Sequence, residues 1–304
     1  MDGVLNKTED KTIKASPFCY KQGMRVVLEN KRQSCNPAVI KEAFSKGHFR
    51  DVDVYIVKTV MQFEVINKNA LTFYLNNNKG VPQELKKPDY TRNIHNLVER
   101  GVLLRYSVTD GVKSSPCLYS LSKGAYNYFS RMFGRSLFLR KREVVVDNAF
   151  PAHVLRAAAS NQFFARVLVS DSFKIRKFNA GSNMNYKGYK FMLDGELKII
   201  RGDNLLDFAV VCFRNTENCV KDACLHLEAI KKKYKDKPVS IIAVVESLKM
   251  ANDIERARLL DDSLSKLAVY YIPDVFAVNE EPFSSVYVVL PDKASYDVKE
   301  ISFI

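Results

Sequence analysis

The stretch from Pro88 to Leu121 constrains this chain more than any other part of it. Tyr90, Ile94, Leu97 and Val98 fall on one side of a 3.6-residue repeat, the pattern of a helix with one buried face. Pro88 suits the first helical position, where a missing N–H is harmless. Gly101 suits the stop, where a left-handed residue commonly ends a helix. Residues 102–108 then alternate as a strand, Thr109-Asp110-Gly111 reads as a tight turn, and Leu118-Tyr119-Ser120-Leu121 returns. Upstream, Val52, Tyr55, Ile56, Thr59, Val60 and Phe63 space as one amphipathic helix, and residues 69–75 as a second.

Helix, glycine and hairpin in that order form the plan of a winged helix-turn-helix. Thr91-Arg92, then Leu97-Val98-Glu99-Arg100-Gly101-Val102-Leu103, resembles the recognition helix and wing of the MarR-like and related winged-helix regulators, over roughly residues 50–130. The resemblance implies that the third helix turns the face opposite Ile94, Leu97 and Val98 toward DNA. Lys87, Thr91, Arg92, His95 and Asn96 are then the residues expected at the major groove or its phosphates. Arg92 suits a bidentate contact with guanine and Asn96 one with adenine. Lys86 and Lys87, with the wing residues Lys113, Ser114 and Ser115, are expected on the DNA backbone, where contacts position without specifying sequence. The plain alternative for each is a solvated helix or loop face.

Charge points the same way. Residues 1–150 hold 25 Lys and Arg against 14 Asp and Glu, a net of +11, whereas residues 151–304 hold 22 against 20. A basic unit releases counterions from the phosphates it neutralises, which makes its affinity fall with salt. The 304 residues suffice for two ordinary domains. No apolar run is long enough to span a bilayer, Met1-Asp2-Gly3-Val4 opens no signal-like stretch, and six scattered cysteines fit reduced thiols. These features predict a soluble cytoplasmic protein with no membrane partner.

Residues 1–49 are expected to be an N-terminal arm or extension: polar over 6–16, a short strand or arm over 24–28, basic at Lys31-Arg32-Gln33-Ser34, with Asn36 capping a helix that begins at Pro37. Such an arm either reaches a neighbouring groove or packs as a dimerisation element. Residues 50–133 form the winged domain, closed by a helix over 123–132 that carries Tyr126 and Phe129. Residues 134–150 read as a linker, with Arg140-Lys141-Arg142 as a further DNA contact or a solvating run.

Residues 151–304 change character and read as an α/β domain with a mixed sheet. Helices are expected over 151–168, 216–234 and 248–267, and strands over 189–193, 196–200, 208–213, 239–245, 268–272 and 286–290. Asp194-Gly195 between the first two strands is a hairpin signal. This order resembles the core of the PD-(D/E)xK nuclease superfamily. Together with a winged helix it resembles the replication-relaxation proteins of bacterial plasmids and integrative elements, over roughly residues 50–275. The resemblance implies paired carboxylates that hold Mg²⁺ and a lysine that activates water. Asp194 and Glu196 are the weak catalytic candidates. The central strand, however, runs Ala209-Val210-Val211-Cys212-Phe213-Arg214, with apolar residues and a thiol where carboxylates belong, and Asp207 and Glu217 lie off the spacing.

The domain therefore reads as a degenerate nuclease fold with no metal or cofactor. Cys212, Cys219, Cys224 and His226 lack a Cys-x-x-Cys knuckle and read as small buried groups rather than zinc ligands. The expected function is double-stranded DNA binding for a mobile genetic element, in replication, transfer or transcriptional control. The second domain would serve homodimerisation or recruitment of replication, transfer or transcription machinery. The alternatives are a metal-dependent nuclease or nickase using Asp194 and Glu196, and a repressor or antitoxin resembling the winged-helix abortive-infection antitoxins.

Overall fold

The computed structural model describes residues 15–30, 35–134, 149–235, 237–278, 282–283, 286–291 and 296–301. Lys31-Arg32-Gln33-Ser34 and Arg140-Lys141-Arg142 lie outside the described residues, so their expected DNA contacts stay expectations. The protein is a mixed α and β structure with two sheets.

The first half runs β1 (Arg25–Leu28), α1 (Pro37–Ser45), α2 (Asp51–Phe63), β2 (Ile66–Asn67), α3 (Lys68–Asn77), α4 (Thr91–Glu99), β3 (Leu103–Thr109), β4 (Leu118–Leu121) and α5 (Lys123–Phe133). Its four strands form one antiparallel sheet in the order β1-β3-β4-β2. Residues 24–28 thus supply a strand on the outer side of β3, and Asn36 caps α1 as expected, accepting the Ala38 N–H at 2.9 Å. The turn at Thr109-Asp110-Gly111 also forms: Asp110 accepts the N–H groups of Val112 and Lys113, and Gly111 takes φ +92°.

Gly101 ends α4 at φ +68°, with its N–H on the Val98 carbonyl and the next N–H, from Val102, on Leu97. Those two bonds make a Schellman stop, and buried Val102 packs beyond it. Pro88 does not open the helix. Asp89 sets the start instead, because its carboxylate accepts both the backbone N–H and the hydroxyl of Thr91, at 3.1 and 2.7 Å.

The second half runs α6 (Pro151–Val167), β5 (Lys174–Tyr186), β6 (Tyr189–Arg201), β7 (Asn204–Cys212), α7 (Cys219–Lys233), β8 (Ser240–Val245), α8 (Leu248–Leu259), β9 (Val269–Pro273), β10 (Val286–Pro291) and β11 (Tyr296–Ile301). The strands lie side by side in chain order. β5, β6 and β7 form an antiparallel meander, β7, β8 and β9 run parallel, and β10 and β11 return antiparallel. One face packs on α6 through Leu197, Phe208, Val210 and Val244, and the other buries Leu227, Ile230 and Ile254 of α7 and α8 against Ala209, Val211 and Ala243.

Three expectations are corrected here. Asp194-Gly195 is no turn: it lies inside the continuous strand β6. The hairpin turns seven residues earlier, at Lys187 (φ 49°) and Gly188 (φ 81°), with the two positive φ values of a type I′ turn. Gly195 is needed for close approach, since a Cβ there would stand 2.8 Å from Phe164 Cζ. β5, rich in Lys, Asn and Gly and mostly unburied at the edge, had no apolar pattern to betray it. The helix expected to reach residue 267 stops at Leu259, because Arg258 turns onto the Leu264 and Leu267 carbonyls and holds the chain that follows in a compact return.

The halves share one buried cluster, and α6 is its spine. Every residue from Ala157 to Val167 is buried. Asn161 donates to the carbonyls of Phe63 and Val65, at 2.7 and 2.6 Å, and so ties the end of α2 to α6. Asn67 donates to Gln162, and Arg166 stacks 4.6 Å over the Phe73 ring. The described part of the expected N-terminal arm is also packed. Ser16 bonds Asp274, and Tyr20 N–H bonds Glu246 across the end of the large sheet.

Candidate nucleic-acid interface

Helix α4 is anchored by Ile94, Leu97 and Val98, all buried, and by Asn93, whose amide donates to buried Asp53 of α2 at 2.8 Å. Its entry is fixed as well. Tyr90 is buried, and its hydroxyl donates to Asn76 while accepting the Lys87 N–H. The Lys87 carbonyl in turn accepts from the Asn76 amide, clasping this segment to α3.

The opposite side of α4 carries Thr91, Arg92, His95 and, half-buried, Asn96. Arg92 and His95, one turn apart, are exposed and make no hydrogen bond or ion pair among the described residues. Thr91 is exposed too, but its hydroxyl is held by Asp89, which an ion pair ties to Lys68 at 2.9 Å. The Thr91 and Lys68 bonds pull the Asp89 carboxyl down to about 2, so the clasp stays charged at neutral pH. Lys86 and Lys87 are half-buried, with Lys87 committed through its backbone rather than its ammonium.

The turn between β3 and β4 exposes Lys113 and Ser114. Ser115 knits this turn together: its hydroxyl accepts the Val108 N–H and donates to the Pro116 carbonyl. The same turn presents Val112, 91% exposed, a position that sequence pattern gave no reason to single out. Arg100, just past α4, is another exposed cation. It donates to the His48 carbonyl at 2.8 Å and lies over Phe49.

In the second half, the two weak catalytic candidates are both committed to structural partners. Asp194 is fully buried and takes a bidentate ion pair from Arg156 of α6, the nearer contact being 2.7 Å. The β6–β7 ladder stops at Gly195 and Val210, and beyond it the Cys212 N–H donates to the Asp194 carboxylate at 2.8 Å. Glu196 instead meets Lys233, Tyr234 and Asn179. Burial opposes its ionisation, but those three donors outweigh it and hold its carboxyl at about 2. Cys212 is buried, and burial pushes its thiol up to about 11, so it stands as a neutral thiol. Asp194 and Glu196 therefore do not converge on a shared ion. No cluster of three or more His, Cys, Asp or Glu suited to a metal occurs among the described residues.

No helix among the described residues is long and apolar enough to cross a membrane. The chain matches no family model, no curated protein and no solved structure.

Proposed function

We propose that the protein binds double-stranded DNA as a winged helix-turn-helix, with α4 in the major groove and the β3–β4 wing on the adjoining backbone. The observation that carries this is the division of α4. Its apolar side and its entry are rigidly held, while Arg92 and His95 project with no partner among the described residues. Three helices followed by an antiparallel hairpin, in a half with a net charge of +11, support the same reading. Thr91 and Ser115 act in it as positioning residues, whereas Arg92, His95, Asn96, Lys86, Lys87, Lys113 and Ser114 are the contact residues.

The second half fits the role of a degenerate nuclease-like module. Its helix, three-strand meander, helix and parallel strand follow the order of a PD-(D/E)xK core, with Asp194 tied to Arg156 and a thiol beside it. The likeness to replication-relaxation proteins extends the proposal to a mobile genetic element, in replication, transfer or transcription, with the protein acting as a homodimer. Titrating labelled duplexes with the full chain tests it. Binding should weaken steeply between low and physiological salt. Absence of duplex binding at low salt would overturn the reading. So would Mg²⁺-dependent nicking of supercoiled plasmid that disappears in Asp194→Ala.

A further inference from the structure

The second half holds a cleft of about 720 Å³ where the start of α6, the start of β6, the end of β7 and the start of α7 meet. That is the size of a small-molecule site. Two deeply buried side chains in its wall are unsatisfied. His226 is 8% exposed, and its Nδ1 lies 2.9 Å from the Asp222 carbonyl. A carbonyl only accepts, so Nδ1 carries the proton and Nε2 is left as an acceptor. Nε2 is buried with no hydrogen-bond partner among the described residues. Burial, helped by Arg156, lowers the His226 pKa to about 4, which keeps the ring neutral.

Arg214 is 5% exposed. Its terminal nitrogens donate to Asp274 at 2.5 Å and to Cys212 Sγ at 2.7 Å, yet its Nε–H has no partner. Buried polar groups left unmet are rare, and each carries a desolvation penalty. Both residues, one with an orphan acceptor and one with an orphan donor, line the same cleft. Its walls are aromatic: Phe191 lies 4.3 Å from His226, and Phe150 and Tyr189 line it while about half exposed. The interior is balanced in charge, Arg156 by Asp194 and Arg214 by Asp274 and Glu246. Lys190 is the exposed cation of the lining with no ion pair among the described residues, and Asp222 is the acid that partly offsets it.

We infer that this cleft takes a nucleotide, its base among the rings with one edge meeting His226 Nε2 and Arg214 Nε–H, and its phosphate at the rim beside Lys190. A base edge offers a donor and an acceptor side by side in one plane. A ring-free anion leaves the aromatic walls uncovered, and an uncharged ring leaves Lys190 unused. A free mononucleotide and the terminal nucleotide of a strand share this chemistry. The cleft shares no lining residue with α4, so its failure and the failure of duplex binding are separate results.

Calorimetric titration of the full chain with the four nucleoside monophosphates, their nucleosides and inorganic phosphate tests the inference. At least one monophosphate should bind more tightly than its nucleoside. Lys190→Glu should bring the two to the same level. His226→Phe, which keeps a ring and removes the acceptor, should weaken both by about tenfold. Arg92→Ala should leave them unchanged. Should His226→Phe not fold, Tyr189→Ala at the rim carries the same expectation. A 5′-phosphorylated single-stranded oligonucleotide that displaces the monophosphate would support a strand end as the source, and failure to displace it would support the free nucleotide. The inference is overturned if no monophosphate binds, if inorganic phosphate binds equally well, or if the Lys190 and His226 variants bind undiminished.

Discussion

Arg92 has nothing to hold it within the described fold, which separates its role in stability from its role in binding. Arg92→Ala should leave the melting temperature nearly unchanged and weaken a specific duplex by about 1–3 kcal/mol. Equal loss on random duplex in a competition titration would reduce it to a phosphate contact. His226 is the opposite kind of residue, buried and neutral. Its pKa is about 4 in the folded chain against an ordinary 6.5. Above pH 6.5 neither state holds the proton, and its contribution to stability is complete. As pH falls from 6.5 toward 4, the unfolded chain takes up a proton that the folded chain refuses, so stability drops. The loss amounts to about 3 kcal/mol over that window. Urea midpoints of wild type and His226→Phe, compared at pH 7 and pH 4.5, isolate the effect. Parallel pH curves for the two proteins would refute it.

At the scale of elements, β6 shows how one dipeptide supports two structures. Asp194-Gly195 carries strong turn chemistry, but in a strand pressed against α6 the same glycine gives the Phe164 ring room. Gly195→Ala should therefore destabilise the chain by about 1–3 kcal/mol through overpacking, and Phe164→Leu in the same chain should recover part of that. Urea denaturation of the two single variants and the double variant measures the coupling, and simple additivity would count against the contact. Helices α2, α3, α4 and α5 were legible because each buries one stripe of residues and shows the rest to solvent. Gly101 was legible because its left-handed conformation has few other occupants. β5 was not, since a polar edge strand owes its form to a neighbour's hydrogen bonds rather than to its own pattern. The Arg156–Asp194–Cys212 arrangement was equally hidden, because it joins residues far apart in sequence and only the folded sheet brings them together. Pattern found the exposed candidates on α4, but it did not reveal that Thr91 and Ser115 are occupied by local bonds.

For the whole molecule, the boundary between the basic first half and the α/β second half is one of sequence more than of packing. α6 belongs to the second half by chain order, yet it buries Asn161, Gln162 and Arg166 against α2, β2 and α3. Residues Ser16–Tyr20 cross the other way, onto Asp274 and Glu246. A helix buried on all sides cannot remain folded when either neighbour leaves, so the two halves should open together. Asn161→Ala tests this most directly, since it strips two buried carbonyls of a partner and should cost about 2–4 kcal/mol. Hydrogen exchange followed by mass spectrometry should then show protection falling by the same free energy in α4–β3 and in β7–β8. Loss confined to α2–β4, with β7–β9 still protected, would mean that the halves are independent modules. In a coupled molecule, a ligand seated between α6 and α7 that favours one packing of α6 would also bias the set of α2, α3 and α4, in proportion to its differential affinity for the two arrangements.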